Sequence, residues 1–191
     1  MHTSPNSQPR ARFIAGMRDT FPLLVGAAPF GIIFGALAVT SGFSPLGAAT
    51  MSAFVFAGAA QFIAVGLMAA GTPGIVIVLT TFVVNLRHML YSASLAPHLL
   101  ALPARWLLPL GFWLTDESFV VAAKNFEEAK TETNRHWYLL GSELAMYVNW
   151  QLVTWIGIAA GQQIDDPQSW GLDFAMVVTF IGMLLPMIKD R

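Results

Sequence analysis

The fold is decided by residues 21–86, which read FPLLVGAAPFGIIFGALAVTSGFSPLGAATMSAFVFAGAAQFIAVGLMAAGTPGIVIVLTTFVVNL. This run contains no Asp, Glu, Lys or Arg, and Arg87 is the only formal charge between Thr20 and Ala104. Over the whole chain 11% of residues are charged and 55% are hydrophobic. Soluble domains usually contain about 25% charged residues. The composition therefore predicts a protein whose solvent is the lipid bilayer.

The uncharged run is long enough for several membrane crossings, because one helical crossing takes roughly 20 apolar residues. Turn-forming residues interrupt it at 41–45 (SGFSP) and 71–74 (GTPG). Backbone groups must be paired inside hydrocarbon, so the spans should be helices. We predict an all-α, polytopic transmembrane helical bundle of about six helices over residues 20–191, after a cytoplasmic tail over 1–19. The predicted spans are 20–40, 45–70, 74–96, 102–123, 137–160 and 172–188.

The orientation of these spans follows from Lys and Arg in the short loops, which favour the cytoplasm. With both termini cytoplasmic, Arg105 is the one outer cation and all other loop cations are on the inner side. The inner cations are Arg10, Arg12, Arg18, Lys124, Lys130, Arg135, Lys189 and Arg191. This asymmetry predicts a multi-pass protein of the cytoplasmic membrane.

A faint internal repeat appears when the chain is shifted by 90 residues. The shift places Ser52 on Ser142 and Gln61 on Gln151. Two halves with an odd number of spans would be inverted with respect to each other, which is common in transporters. We therefore expect a possible three-plus-three inverted repeat.

Several classes of chemistry lack their usual residues. Cysteine is absent, no two histidines have metal-ligand spacing, and no nucleophile elbow, phosphate loop or zinc-protease motif occurs. The net charge of −1 gives no indication of a nucleic-acid partner. The sequence favours neither an enzyme nor a metal or cofactor site.

Two clusters of small and helix-breaking residues lie inside predicted spans. The first is Ala28-Pro29-Phe30-Gly31, where a kink with tight helix packing is the simpler interpretation. The second is residues 57–62 (AGAAQF), where small residues precede the buried amide of Gln61. It is either a packing face or a local unwinding that exposes carbonyls and the Gln61 amide to a substrate.

A third cluster begins at Asn85 and includes Arg87, His88 and Tyr91. A charge near the bilayer centre costs roughly 2.5 to more than 10 kcal/mol unless it is paired or hydrated. The candidate partners of Arg87 are Asp116, Glu117 and Glu143. Counted along straight helices, Arg87 lies about 13 Å and Asp116 about 21 Å below the outer ends of their spans. The pair is either a structural staple or part of a transport route.

Together these motifs resemble the AzlC family of branched-chain amino-acid transporters. The resemblance rests on 29–31 (PFG), 58–62 (GAAQF), 85–88 (NLRH) with 90–94, and 115–119 (TDESF). It implies a bacterial cytoplasmic-membrane permease that exports branched-chain amino acids with a small membrane subunit of the AzlD type. Family members continue past residues 184–186, whereas this chain stops at Arg191, so we expect a shortened member or one that lacks its last helix.

The leading hypothesis is a secondary exporter of leucine, isoleucine or valine, and the alternative is a membrane scaffold with a structural polar interior. Arg87 is expected to bind the substrate carboxylate and Asp116 or Glu117 its ammonium group. The apolar slot has four aromatic candidates, Phe30, Phe54, Phe62 and Tyr91. The predicted substrate-binding residues are Pro29, Phe30, Gly31, Gly58, Gln61, Phe62, Asn85, Arg87, His88, Tyr91, Asp116 and Glu117.

Overall fold

The computed structural model describes residues 8–128 and 133–163. All regular structure in these residues is helical, which confirms the predicted all-α class for this part of the chain. The helices are α1 (Pro9–Thr40), α2 (Pro45–Val55), α3 (Gly58–Ala69), α4 (Gly74–Asn85), α5 (Arg87–Leu99), α6 (Ala104–Trp113), α7 (Asp116–Glu128) and α8 (Arg135–Gly161). By length and composition, Pro9–Thr40 and Gly74–Leu99 could each cross a membrane.

The predicted spans and the observed helices differ in continuity. Spans 20–40 and 137–160 lie within single helices, α1 and α8. Spans 45–70, 74–96 and 102–123 are each divided between two helices. Hydropathy measures the length of an apolar run but carries no information on backbone conformation, so these divisions were not predicted. Span 172–188 lies outside the described residues.

The three divisions have different backbone causes. After α2, Phe56 adopts the left-handed conformation (φ 33°, ψ 49°), which bulky residues rarely adopt, and Ala57 is extended. After α6, Leu114 is extended (φ −64°, ψ 127°). Leu86 between α4 and α5 keeps helical angles (φ −57°, ψ −22°). Gly74–Leu99 is therefore one long element, whereas α2–α3 and α6–α7 contain true interruptions.

The chain forms two compact units. Unit 1 contains the described residues up to Gly26 together with Leu86–Asn149, and unit 2 contains Ala27–Asn85 and the residues from Trp150 onwards. The boundaries fall inside α1 and α8, so each of these helices contributes its first part to unit 1 and its second part to unit 2. Every Asp, Glu, Lys and Arg of the described residues belongs to unit 1.

In unit 1 the first parts of α1 and α8 pack backbone against backbone. A Cβ on Gly16 would clash with the carbonyl oxygen of Tyr138, and one on Gly141 would clash with that of Phe13. The Thr20 hydroxyl donates a 2.6 Å hydrogen bond to Ser142 Oγ across the same contact. Close approach through glycine is typical of membrane helices. The same unit contains an apolar cluster of buried side chains: Leu95, Leu99, Leu110, Leu114, Ala122, Phe126, Tyr138 and Leu139.

Helices α6 and α7 form a hairpin within unit 1. Trp106, near the start of α6, packs edge-on against Trp137 near the start of α8, with ring centroids 4.9 Å apart. Phe126, near the end of α7, lies 5.4 Å from the guanidinium of Arg135, the first residue of α8. The start of α6 and the end of α7 therefore both lie near the start of α8.

This hairpin corrects two predictions. Residues 102–123 do not form one crossing helix, because the chain leaves the helical conformation after α6 and returns along α7. Arg105 was predicted to face the outside. It directly precedes Trp106, so it lies at the same end of unit 1 as Arg135.

In unit 2 the second parts of α1 and α8 also pack closely. A Cβ on Gly35 would clash with the carbonyl of Thr154, and one on Gly157 would clash with that of Ile32. Helix α2 joins this contact, because the Ser52 hydroxyl donates a 3.2 Å hydrogen bond to Thr154 Oγ1. Helices α3 and α4 pack against each other after the turn at 70–73.

Helices α2 and α3 each contact the long helices of unit 2. Ser52 on α2 bonds Thr154, whose carbonyl lies against α1 one residue from Phe34. Phe62 on α3 packs edge-on against Phe34, with centroids 6.1 Å apart. The predicted single span 45–70 is therefore interrupted at Phe56 and Ala57, and both of its helices pack in unit 2.

The helix order does not show the predicted 90-residue repeat. That alignment pairs 45–70, which is interrupted, with 135–160, which is the unbroken α8. A different order recurs instead, with one long element followed by two short ones: α1, α2, α3, and then α4–α5, α6, α7. Helices α3 and α7 begin at Gly58 and Asp116, 58 residues apart.

Candidate functional site

An ion pair between Arg87 and Asp116 forms the charged centre of unit 1. Arg87 Nη1 lies 2.7 Å from Asp116 Oδ2, the distance of a charge-assisted hydrogen bond. The side chains are 26% and 37% exposed, so the pair is accessible from outside the unit. The prediction that Arg87 needs a partner is met, and Asp116 is that partner among the three candidates.

Two helices begin at this centre. Arg87 is the first residue of α5 and Asp116 the first of α7. The helices then run side by side in the same direction, because His98 near the end of α5 lies 5.3 Å from Phe126 near the end of α7. The first-turn N–H groups and the positive end of the α7 dipole therefore face the ion pair, whereas the helical path continues from α4 through Leu86 into α5 at Arg87. The α7 dipole stabilises the Asp116 carboxylate, which in turn pairs with Arg87.

The start of α7 is fixed by a reciprocal cap between Thr115 and Ser118. The backbone N–H of Thr115 donates to Ser118 Oγ (2.8 Å), and the backbone N–H of Ser118 donates to Thr115 Oγ1 (3.3 Å). Such side-chain caps pair N–H groups that a helix leaves open at its first turn. Because both residues are buried, the cap holds Asp116 in place. Glu117, another predicted site residue, follows Asp116 in this turn.

An aromatic wall lies beside the ion pair, one turn along both helices. Tyr91 of α5 stacks on Phe119 of α7, with centroids 4.6 Å apart and an interplanar angle of 16°. His88 meets Tyr91 edge-on at 5.7 Å. The structure thus brings Arg87, His88, Tyr91 and Asp116 together, as predicted, and adds Phe119 to the group.

Unit 2 contains the remaining predicted site residues. Pro29, Phe30 and Gly31 lie inside α1, which continues without a break through this stretch. A Cβ on Gly31 would clash with the Val153 side chain of α8. This contact supports the packing interpretation of Gly31.

The second cluster of unit 2 coincides with the interruption between α2 and α3. Gly58 is the first residue of α3, and the capping position before it, Ala57, provides no side-chain hydrogen bond. Gln61 is fully buried, and within the described residues neither its amide oxygen nor its amide nitrogen has a hydrogen-bond partner. Phe62 packs on α1, and Asn85 ends α4. The helix is therefore interrupted immediately before Gly58, but Gln61 itself lies in the buried face of α3 and its amide is not exposed.

Two features of unit 1 were missed by sequence reasoning. Glu143 was considered only as a partner for Arg87, yet it is fully buried and neither carboxyl oxygen has a hydrogen bond among the described residues. Its position inside an apolar span was the available signal. The second feature is a cavity of about 440 Å³ where α1, α7 and α8 meet. It is lined by Arg18, Asp19, Pro22, Val121, Lys124, Asn125, Glu128 and Tyr138.

These features define an α-helical membrane protein in which interrupted helices place an ion pair inside an apolar structure. The AzlC protein family matches residues 22–164, which is most of the chain and includes all predicted site residues. The chain belongs to the AzlC family.

Three relatives illustrate this membership. An uncharacterized membrane protein of Archaeoglobus fulgidus is 33% identical over all of this chain and 81% of its own length. Inner membrane protein YgaZ of Escherichia coli is 29% identical over 96% of this chain and 74% of its own. Branched-chain amino acid transport protein AzlC of Bacillus subtilis is 27% identical over 96% and 71%. No solved structure matches the chain.

Proposed function

We propose that this chain is the large subunit of an exporter that moves branched-chain amino acids out across the cytoplasmic membrane. Two findings support the class of protein: membership of the AzlC family and the name of the Bacillus subtilis relative. The observation that carries the proposed site is the accessible Arg87–Asp116 pair, in which Asp116 is the first residue of α7. Intramembrane ionisable groups are functional more often than structural.

A zwitterionic amino acid matches the chemistry of this centre. Its carboxylate is the natural ligand of Arg87 and of open N–H groups at helix N-termini. Its ammonium group would take the Asp116 carboxylate from Arg87, with Glu117 as a further acceptor in the same turn. Tyr91 and Phe119 supply an apolar surface beside both charges for a branched side chain. Substrate binding therefore exchanges one ion pair for two.

In unit 2 we propose that the amide of Gln61 is a separate substrate contact. Both polar atoms of this buried side chain are unsatisfied within the described residues, which normally costs about 1–3 kcal/mol. The first-turn N–H groups after Gly58 lie beside the same interruption. Pro29, Phe30, Gly31, Phe62 and Asn85 would shape the backbone and the apolar surroundings of this contact.

In the orientation that we propose, the end of unit 1 that carries Arg105 and Arg135 lies in the cytoplasm. The hairpin brings Arg105 to the end that holds Arg135, and unit 2 has no cation among its described residues. The Lys/Arg asymmetry is thus stronger than the predicted spans implied. The N-terminus, which leads into α1 through Arg10 and Arg12, is cytoplasmic in this orientation.

A small membrane subunit of the AzlD type is the proposed partner. The apolar stretch Gly74–Leu99 is long enough to cross a membrane, and no residue of its most hydrophobic segment is buried by the described residues. Large apolar side chains such as Phe82, Leu90 and Leu79 are more than half exposed there. Lipid or another helix must cover this surface in the membrane, and a small hydrophobic subunit fits that need.

Efflux from loaded liposomes tests the proposed function. The chain is purified with and without a co-expressed AzlD-type subunit, reconstituted, and loaded with labelled leucine. We expect efflux above that of protein-free liposomes, and faster efflux with the subunit. Equal efflux with and without the subunit would contradict the proposed partner. No efflux from the folded complex would favour the scaffold alternative.

A further inference from the structure

Glu143 is a carboxyl group that the proposed binding of substrate does not use. It lies in the unit 1 part of α8 and is 0% exposed. Neither Oε1 nor Oε2 has a hydrogen-bond partner within residues 8–128 and 133–163. One turn before it, Leu139 belongs to the apolar cluster of unit 1, and three residues after it Met146 is also buried.

No charge compensates Glu143 among the described residues. At the starts of α5 and α7, Arg87 pairs with Asp116, and Glu117 is a second acid that offers no positive charge to Glu143. On the α1 side, the Thr20 hydroxyl is bonded to the neighbouring Ser142. The buried hydroxyl groups of Thr115 and Ser118 are used in the cap of α7. The other buried side chains that α5, α6 and α7 and the turn between them contribute are apolar: Leu95, Leu99, Leu110, Leu114, Ala122 and Phe126.

An ionised carboxylate without a partner is strongly disfavoured in such surroundings, so Glu143 must carry a proton in this conformation. A protonated carboxyl with no hydrogen bond adds nothing to stability that an apolar side chain would not. A structural role therefore does not account for an acid at this position. A group that binds and releases a proton during a conformational cycle does account for it.

We infer that Glu143 is the proton-binding residue that couples export to proton entry, an inference that rests on the proposed function. In the buried conformation the O–H bond of the acid is intact. When the transporter opens toward the cytoplasm, this bond breaks, the proton passes to water and the carboxylate becomes hydrated. The carboxylate takes a proton again when it is open to the outside. Because the zwitterion has no net charge, each exchange carries one positive charge inward.

Glu143→Gln tests this coupling, because the amide has the shape of the acid but cannot release a proton. The full complex is reconstituted, and its melting curve checks folding. In the variant, leucine efflux driven by an imposed pH gradient should fall to the protein-free rate. Leucine counterflow at equal pH, which needs no net proton movement, should remain. Glu127→Gln, a change at an exposed position of α7, is the matched control and should retain both activities.

Two results from a folded Glu143→Gln protein would overturn the assignment. Retained pH-driven efflux would mean that Glu143 carries no coupling proton. Loss of counterflow together with pH-driven efflux would assign Glu143 to substrate binding. If Glu143→Gln does not fold, Glu143→Asp replaces it and should retain pH-driven efflux, since it keeps a titratable acid. A folded Asp variant that retains counterflow but not pH-driven efflux would contradict the inference.

A measurement on the wild-type protein separates this inference from the proposed function. Dicyclohexylcarbodiimide reacts with protonated carboxyl groups in apolar surroundings, and mass spectrometry locates the adduct. We expect labelling of Glu143 that increases as the pH is lowered. Labelling without any leucine counterflow would reject the proposed function but keep the proton site. Leucine counterflow without labelling would reject the proton site alone.

Discussion

At the residue scale, the Arg87–Asp116 pair is a charged contact inside an apolar stretch. Replacing Arg87 with Gln leaves Asp116 unpaired, which costs about 3–5 kcal/mol in a fully buried pair and less in this partly exposed one. We expect Arg87→Gln to lower the melting temperature, and Arg87→Gln with Asp116→Asn to recover most of the loss. The recovered protein should still not export leucine, because the zwitterion has lost both counter-charges.

The same double variant separates the two interpretations of the pair. Thermal melting in detergent measures folding, and efflux from liposomes measures transport. If the folded double variant exports leucine at the wild-type rate, the pair is a structural staple. The architecture would be unaffected by that result.

Sequence reasoning identified the need for this pair but not its geometry. A charge at Arg87 inside an apolar run requires a partner, which is a statement about energy and needs no structure. The depth count placed Arg87 about 13 Å and Asp116 about 21 Å below the outer ends of their spans. That count assumed one straight span over 102–123, whereas Asp116 begins a new helix beside α5. The two residues appeared to lie at different depths because the count did not include the turn at Leu114.

At the element scale, glycine contacts hold α1 against α8 in unit 1. Gly16→Ala would push a Cβ into the backbone at Tyr138, and overpacking of this kind typically costs about 1–3 kcal/mol. Gly26 on the same helix has nothing within 4 Å of the added Cβ. There, alanine should stabilise the helix by up to about 1 kcal/mol. Melting temperatures of the two variants should move in opposite directions.

Equal behaviour of the two glycine variants would contradict the packing. A common destabilisation would mean that Gly26 is also in a close contact. A common stabilisation would mean that α1 and α8 do not approach each other at Gly16.

The α6–α7 hairpin predicts which residues share one side of the membrane. The chain has no cysteine, so single cysteines at Ala101 and Thr133, both exposed, report their own positions. Both should be protected from an impermeant maleimide in intact cells, and both should react in inside-out vesicles. Reaction of the Ala101→Cys variant from outside, with the Thr133→Cys variant protected, would contradict the hairpin and support the single crossing over 102–123 that hydropathy predicted.

Hydropathy located the apolar elements well and their interruptions poorly. The end of α1 at Thr40 and both ends of α8 fall within two residues of the predicted spans, whereas α1 begins at Pro9, well before the apolar run, because hydropathy does not detect a helix that continues into polar sequence. The turn after α2 depends on Phe56 adopting a left-handed conformation, which its residue type disfavours. No local pattern predicts such a residue, since the surrounding structure must impose the conformation.

At the scale of the whole molecule, composition predicted the membrane environment, and the motifs predicted the AzlC family to which the chain belongs. The predicted three-plus-three repeat relied on a few identities in alanine-rich sequence. The observed order of one long and two short elements could not be obtained from such identities, because a continuous and an interrupted helix have similar hydropathy. The assignment of Glu143 required burial and hydrogen bonding, which depend on the packing of unit 1.

The most direct test of amino-acid export is competition in the reconstituted complex. Labelled leucine exchange is measured while unlabelled isoleucine, valine, lysine or glutamate is supplied in turn. We expect isoleucine and valine to compete, because they present the same zwitterion and a branched apolar side chain to Arg87, Asp116 and the aromatic wall. Lysine and glutamate should not compete, since each adds a charge beside Tyr91 and Phe119. Absence of leucine exchange in a folded complex, or equal competition by all four amino acids, would contradict the proposed exporter of branched-chain amino acids.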